Sequence, residues 1–183
     1  ATSVYFNPSR VAMKRAANGV GVATPAYVMA RTAAHVERAA TRLRFPLIVK
    51  HPAGYASVDL SRASRVVSPA GLRRQAQKIM KRHGRALIEE FIEGGECTVL
   101  VAENPRDRRR PTTYTPIEYQ FPDGETFKHS VLKWESFAQM KGVPLADTPL
   151  ARKLRQAAAR VFVALQGAGY GRLDFRIDRS GVP

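Results

Sequence analysis

The sequence is poor in cysteine, with Cys97 as its single thiol in 183 residues. One thiol excludes an intramolecular disulfide and a zinc site built from several cysteines. The apolar neighbours Val99 and Leu100 predict that Cys97 lies in a buried strand. No apolar run reaches the length of a membrane span, and the N-terminus lacks the pattern of a secretion signal. These absences favour the reducing cytoplasm and predict no membrane partner.

Acidic residues are also scarce, since 15 Asp and Glu stand against 30 Lys and Arg. The net charge of +15 predicts attraction for anions, such as nucleotides, nucleic acid or acidic membrane surfaces. Arg greatly outnumbers Lys, and Ala is abundant. A GC-rich coding sequence would produce this composition as well, so the charge alone does not identify the anion. A hydrophobic content of 44% is enough for one domain or two small lobes with a sizeable core.

Apolar periodicity and capping residues predict alternating helices and strands. Predicted helices cover Ser9–Asn18, Thr32–Arg42, Ser68–His83 and Leu150–Gln166. Predicted strands cover Phe45–Lys50, Ser57–Ser61 paired with Arg65–Val67, Ala86–Ile92, Cys97–Ala102, Tyr114–Phe121, Thr126–Leu132 and the segment after Gly169. A tight connection over Glu93–Glu96 is expected to join two of these strands. The polar loop Asn104–Pro111 suggests a border between lobes, which gives 1–44 as linker and helices, 45–104 as first lobe and 105–183 as second lobe.

The run from Gly171 to Asp178 alternates apolar and charged residues with the period of a strand. If its apolar side chains face a core, then Arg172, Asp174 and Arg176 share the opposite face. A carboxylate is a hard oxygen ligand for Mg²⁺, and a guanidinium grips an anion in bidentate fashion. The alternative is a solvated strand with a surface salt bridge.

Two lysines, Lys50 and Lys133, each end a predicted strand, where open sheets present ligand-binding groups. Glu89 and Glu90 close another strand, and Glu96 follows the Gly-Gly turn. Carboxylates in such places suit adenine and ribose hydroxyls, whereas an acidic hairpin facing water is the simpler alternative.

Five segments carry a resemblance to a known family, and they occur in its order. They are Phe45–Lys50, the loop into Ser57-Val58, Leu87–Val99, the strand that reaches Lys133, and Gly171–Asp174. From about Ser9 onward the sequence resembles the ATP-grasp superfamily and, within it, the D-alanine-D-alanine ligase family. The resemblance implies an α+β ATP-grasp fold in which two lobes sandwich ATP.

The resemblance also implies roles for individual residues. Lys50 and Lys133 would contact the ATP phosphates, and the Ala53–Ser57 turn would close over them. Glu89 and the backbone of Phe91 and Ile92 would hold adenine, and Glu96 would bind the ribose. Arg172 would stabilise the charged intermediate, and Asp174 would be the first Mg²⁺ ligand.

The implied chemistry is ligation, in which ATP activates a carboxylate as an acyl phosphate and an amine displaces the phosphate. The implied substrate is an amino acid such as D-alanine, and a homodimer is one alternative for the assembly. Family residues expected after Pro183 and an N-terminal domain are absent from the sequence, which predicts an inactive fragment. Ala56, Trp134 and Asn7-Pro8 depart from the family pattern, so the substrate stays open.

The alternative function is nucleic-acid binding by a basic module. It would use Arg106, Arg108, Arg109 and Arg110 together with Lys81-Arg82. The aromatic residues are scattered and predict no stacking platform, so nucleic acid is the less favoured partner.

Overall fold

The computed structural model describes residues 9–53, 57, 59–146 and 148–183, which form two antiparallel sheets with helices on one face of each. The α-helices are α1 Arg10–Gly19, α2 Ala33–Arg42, α3 Pro69–His83, α4 Ser130–Trp134 and α5 Pro149–Ala164. The strands are β1 Tyr27–Ala30, β2 Leu47–Lys50, β3 Arg65–Val66, β4 Ala86–Glu90, β5 Gly94–Ala102, β6 Thr112–Thr113, β7 Ile117–Gln120, β8 Lys141–Pro144 and β9 Tyr170–Asp178. Short 3₁₀ turns cover Arg62–Ser64 and Phe137–Gln139. None of the helices described combines the length and apolarity needed to cross a membrane.

The first sheet has the strand order β1-β4-β2-β3 and packs against α2 and α3. Thr32 and Ser68 cap these two helices through their hydroxyl oxygens, as their positions in the sequence predict. In β2, Leu47 and Val49 point into the core beneath the helices. Strand alternation therefore turns Ile48 and Lys50 to the opposite face.

The second sheet is built around β5, with β9 along one edge and β6 and β7 along the other. The buried apolar residues of β5 are Cys97, Val99 and Val101, and they pack with α5. Burial of Cys97 confirms the prediction for that thiol. Alternation sends Glu96 and Thr98 of the same strand to the face without the helix.

The chain passes from one sheet to the other between β4 and β5. The predicted hairpin over Glu93–Glu96 is therefore wrong, because β5 begins at Gly94 and pairs with β9, not with β4. Gly94 has φ 142°, and a Cβ there would lie 2.1 Å from the Ile177 carbonyl oxygen, so only glycine fits this approach. We propose residues 91–93 as the lobe boundary in place of 104/105, with β1 and α2 in the first lobe.

Three predicted strands differ from the structure. Residues 126–129 form no strand and Lys133 lies in α4, because the His129 side chain caps a helical turn that begins at Ser130. The predicted partner of Arg65–Val66 is wrong, since this strand pairs with β2. The strand predicted over Tyr114–Phe121 is confined to β7. Gly54, Tyr55 and Ala56 of the predicted phosphate loop lie outside the described residues, as do Val58 and Asn7-Pro8.

Candidate functional site

A cleft of about 510 Å³ lies between the helix-free faces of the two sheets. Alternation in β2, β4, β5 and β9 directs several polar side chains into it, among them Lys50, Glu89, Glu96 and Asp174. The structure brings all the predicted site residues to this one cleft: Lys50, Ser57, Glu89, Phe91, Ile92, Glu96, Lys133, Arg172 and Asp174.

Glu89 is the most deeply buried of the charged residues in the cleft, with 3% of its surface exposed. Its Oε2 lies 2.5 Å from Nζ of Lys50, and its Oε1 lies 3.1 Å from Nζ of Lys14 on α1. Burial alone would raise the pKa of the Glu89 carboxyl, but Lys50 and Lys14 together hold it below its ordinary value. The carboxylate thus fixes two ammonium groups at one end of the cleft, and its predicted adenine contact stays a prediction.

Glu96 is buried on β5 and pairs with two cations that the sequence analysis did not assign to the site. Its Oε1 lies 2.8 Å from Nζ of Lys128, and its Oε2 lies 3.4 Å from Nη1 of Arg176. The Lys128 ammonium also lies 3.7 Å from the ring centroid of Tyr119. Ribose hydroxyls that reach Glu96 must share its oxygens with Lys128 or displace that ammonium.

Arg172 and Asp174 form the side-by-side pair that the β9 pattern predicts. Nε of Arg172 donates to Oδ1 of Asp174 at 3.1 Å, and the Thr98 hydroxyl donates to the same oxygen at 2.7 Å. Within the ranges described, no three His, Cys, Asp or Glu residues cluster as a metal site would require. Asp174 alone therefore does not make a Mg²⁺ site from these residues.

Lys133 reaches the cleft from α4 and not from a strand end. Burial lowers the pKa of its ammonium, and the nearby Arg172 lowers it further. Mutual repulsion of this kind is relieved when a polyanion binds between the cations. The second lobe therefore presents several positive groups suited to phosphate.

An apolar wall adjoins the charged residues, formed by Ile48, Phe91 and Phe127 with Leu60 packed against them. The rings of Phe91 and Phe127 meet edge to face at 5.7 Å between centroids. The Phe91 N–H donates to the Pro46 carbonyl oxygen, so this predicted adenine contact already has a partner. In the described structure no hydrogen bond engages the Ile92 N–H, which leaves it available to a flat base at this wall.

Sequence reasoning gave no site role to Lys14, Lys128, Phe127 and Arg176. Only Arg176 carries a usable signal, because the β9 alternation places it beside Asp174. Lys14 and Lys128 reach their carboxylates through tertiary packing, which local patterns do not encode.

The loop Asn104–Pro111, which carries Arg106, Arg108, Arg109 and Arg110, lies outside the residues that line the cleft. Arg108 pairs with Glu103 at 2.6 Å, and Arg110 pairs with Asp107 at 3.6 Å. Arg82 at the end of α3 pairs with Asp59 at 2.6 Å. Acidic partners therefore offset part of the charge on which the nucleic-acid alternative depends.

Comparison with known proteins gives one consistent result. The family model described as "D-ala D-ala ligase C-terminus" matches residues 17–183. The D-alanine–D-alanine ligase of Marinomonas sp. (strain MWYL1) is 27% identical over 175 residues, covering 94% of this chain and 52% of that protein. The chain spans about half the length of the curated relatives it matches.

Solved structures show the same fold. The VanG D-Ala:D-Ser ligase from Enterococcus faecalis aligns with a TM-score of 0.74 at 17% identity, over 95% of this chain and 49% of that chain. The ADP complex of N5-carboxyaminoimidazole ribonucleotide synthetase aligns with a TM-score of 0.72 at 17% identity, over 96% of this chain and 42% of that chain. These alignments confirm the predicted α+β ATP-grasp fold.

Proposed function

The chain belongs to the D-ala D-ala ligase C-terminus family, and we propose that it forms the nucleotide-binding part of an ATP-dependent ligase. In this reaction ATP supplies a phosphoryl group that activates a carboxylate substrate, and an amine then displaces phosphate to form an amide. The proposal concerns the activity of a whole ligase, since a relative of this family is about twice as long as the chain described here.

One observation carries the proposal, namely a mixed-sign cleft beside an apolar wall. Plain phosphate binding would need only cations, whereas this cleft also buries Glu89 and Glu96 next to Phe91 and Phe127. Aromatic and aliphatic side chains suit a flat base, and carboxylates suit ribose hydroxyls. A nucleoside triphosphate is the ligand class that uses all of these groups.

The residues of the cleft would act by binding and charge neutralisation. Lys50 and Lys133 approach from opposite lobes and would hold the phosphates between them. Arg172, on β9, would balance negative charge that develops on the activated carboxylate. Since Asp174 alone does not complete a Mg²⁺ site, we assign no step to a metal; that Asp174 contributes one oxygen to bound Mg²⁺ remains a prediction.

The substrate belongs to the class of amino acids, with D-alanine first because ligases of that name are relatives. Another carboxylate is the second candidate. It is favoured by the fold shared with a ribonucleotide synthetase, and by Trp134 directly after Lys133. Cytoplasmic localisation and a homodimer remain predictions.

Thermal shift tests the nucleotide proposal, because a ligand that binds only the native state raises the melting temperature. ATP should raise it more than equimolar tripolyphosphate, since the base and ribose add contacts at the apolar wall. The variant Phe127→Ala should reduce this difference, while Arg73→Met, outside the cleft, should leave it unchanged. Equal shifts from ATP and tripolyphosphate in the parent chain would argue against a nucleotide pocket.

A further inference from the structure

A buried histidine that does not line the cleft holds the helix that carries Lys133. His129 is 0% exposed, and its Nδ1 accepts the Leu132 N–H at 3.3 Å. Its own carbonyl oxygen accepts the Lys133 N–H at 3.0 Å. His129 thus accepts hydrogen bonds from two N–H groups in the first turn of α4, one through its ring and one through its carbonyl oxygen.

This support matters because α4 is only five residues long. One helical turn is unstable in isolation, since few hydrogen bonds offset the entropy of ordering it. The direction in which Lys133 points therefore depends on contacts outside the helix.

The proton on the His129 ring is fixed by its neighbours. A backbone N–H can only donate, so Nδ1 must be the acceptor and Nε2 must carry the proton. Nε2 lies 2.9 Å from Oε2 of Glu125, whose side chain is also buried. The carboxylate therefore holds the ring in the tautomer that can cap α4.

The other oxygen of Glu125 faces the first lobe. Nε of Arg62 donates to Oε1 at 2.7 Å, and Arg62 lies in the 3₁₀ turn that precedes β3. Two more bonds join the same regions: the Ser57 hydroxyl donates to the Lys128 carbonyl oxygen at 3.0 Å, and the Ser130 N–H donates to the Leu60 carbonyl oxygen at 2.9 Å. The described part of segment 57–62 is therefore docked on residues 125–130.

We propose that Arg62, Glu125 and His129 are positioning residues that hold α4, and with it Lys133, in place against the first lobe. None of the three would contact the nucleotide. Since Lys133 is assigned to phosphate, this inference rests on the proposed function for its effect on ATP, although its effect on α4 does not.

Trp134 provides a direct readout, because it is the single tryptophan of the chain and lies on α4 next to Lys133. Its fluorescence anisotropy reports the mobility of α4 without any ligand. We expect Arg62→Met, Glu125→Gln and His129→Leu to lower the anisotropy. His129→Asn should retain most of it, because Asn is a good N-cap residue. Arg73→Met removes an ion pair of similar geometry with Glu37 in the same lobe and should change nothing.

Ligand affinities give the second readout. His129→Leu should weaken ATP binding about tenfold, because Lys133 loses its fixed position, and should leave adenosine binding nearly unchanged. His129→Asn should restore ATP binding. A loss of adenosine affinity equal to the loss of ATP affinity would indicate general damage to the cleft and overturn the inference.

The two proposals fail in different ways. A parent chain that binds no ATP would end the nucleotide proposal, while the Trp134 anisotropy would still decide the role of His129. Unchanged anisotropy in both Arg62→Met and His129→Leu would overturn the inference. Arg62 is largely exposed, so its variant should fold even if the His129 variant does not.

Discussion

Arg176 donates twice to the carbonyl oxygen of Ile92, from Nε at 3.0 Å and from Nη2 at 2.8 Å. The same guanidinium donates to the carbonyl oxygens of Gly94 at 3.1 Å and Thr126 at 2.9 Å, and it lies over the Phe91 ring. Residues 91–93 connect the two sheets, and Gly94 begins β5. A single side chain of β9 therefore ties this connection to Thr126, the residue before Phe127 of the apolar wall.

Arg176→Met should lower the free energy of unfolding by about 3 kcal/mol, because the part-buried Ile92 carbonyl oxygen loses its donor and the buried Glu96 carboxylate loses one of its two cations. Arg176→Lys should recover only part of this loss, since an ammonium cannot reproduce the planar fork. Urea denaturation measures both effects. Arg179→Met is the matched control, because Arg179 is exposed and pairs with Glu93 at the surface. A loss in Arg179→Met as large as that in Arg176→Met would contradict this account.

Glu89 should make stability depend on pH in the acid range. Its folded-state pKa lies below the ordinary value of 4.5, so its contribution is present above that pH and is lost as the pH falls through the folded-state value. Other carboxyls titrate in the same window, so the comparison is with Glu89→Gln. The free energy of unfolding of the parent chain should fall more steeply below pH 4.5 than that of Glu89→Gln. Parallel curves would show that Lys14 and Lys50 do not stabilise the carboxylate.

Asp174→Asn should separate the contribution of the carboxylate from that of the cations around it. Removing the negative charge should raise the affinity for metal-free ATP by about two- to fivefold. It should also abolish any gain in affinity that Mg²⁺ gives the parent chain. Calorimetry with and without Mg²⁺ measures both quantities. Asp178→Asn, on the same strand but away from the cleft, should behave like the parent, and a response equal to that of Asp174→Asn would refute the assignment.

Replacing Arg106, Arg108, Arg109 and Arg110 by Ser should leave ATP affinity nearly unchanged, because the loop does not line the cleft. Any binding to DNA should weaken to the same extent for all sequences, as expected for phosphate contacts alone. Fluorescence anisotropy with two unrelated duplexes at physiological salt tests this. Tight, sequence-selective binding that disappears in the variant would support the nucleic-acid alternative.

Local patterns predicted the charged face of β9 correctly. Alternation is a property of the strand itself, so Arg172, Asp174 and Arg176 could be placed on one face without knowing the partner strand. The starts of α2 and α3 were equally accessible, because Thr32 and Ser68 cap helices through hydrogen bonds within their own segment.

The errors occur where distant residues decide the local structure. The alternating segment ahead of Lys133 favoured a strand, but Glu125 orients buried His129 to cap a helix instead. Glu93–Glu96 has the composition of a hairpin turn, yet β5 finds its partner about 80 residues later in β9. Lys14 on Glu89 and Lys128 on Glu96 received no site role from the sequence for the same reason.

Cys97 lies at the centre of β5, under α5 and opposite Phe175 of β9. Burial, followed by the charges of Glu118 and Glu96, raises the pKa of its thiol to about 11, so in the closed sheet it is both shielded and protonated. A disulfide reagent can modify it only when the sheet opens. The rate at which this single thiol is labelled, measured by mass spectrometry, therefore reports how often the second lobe opens. The first lobe contributes no label, because it contains no cysteine.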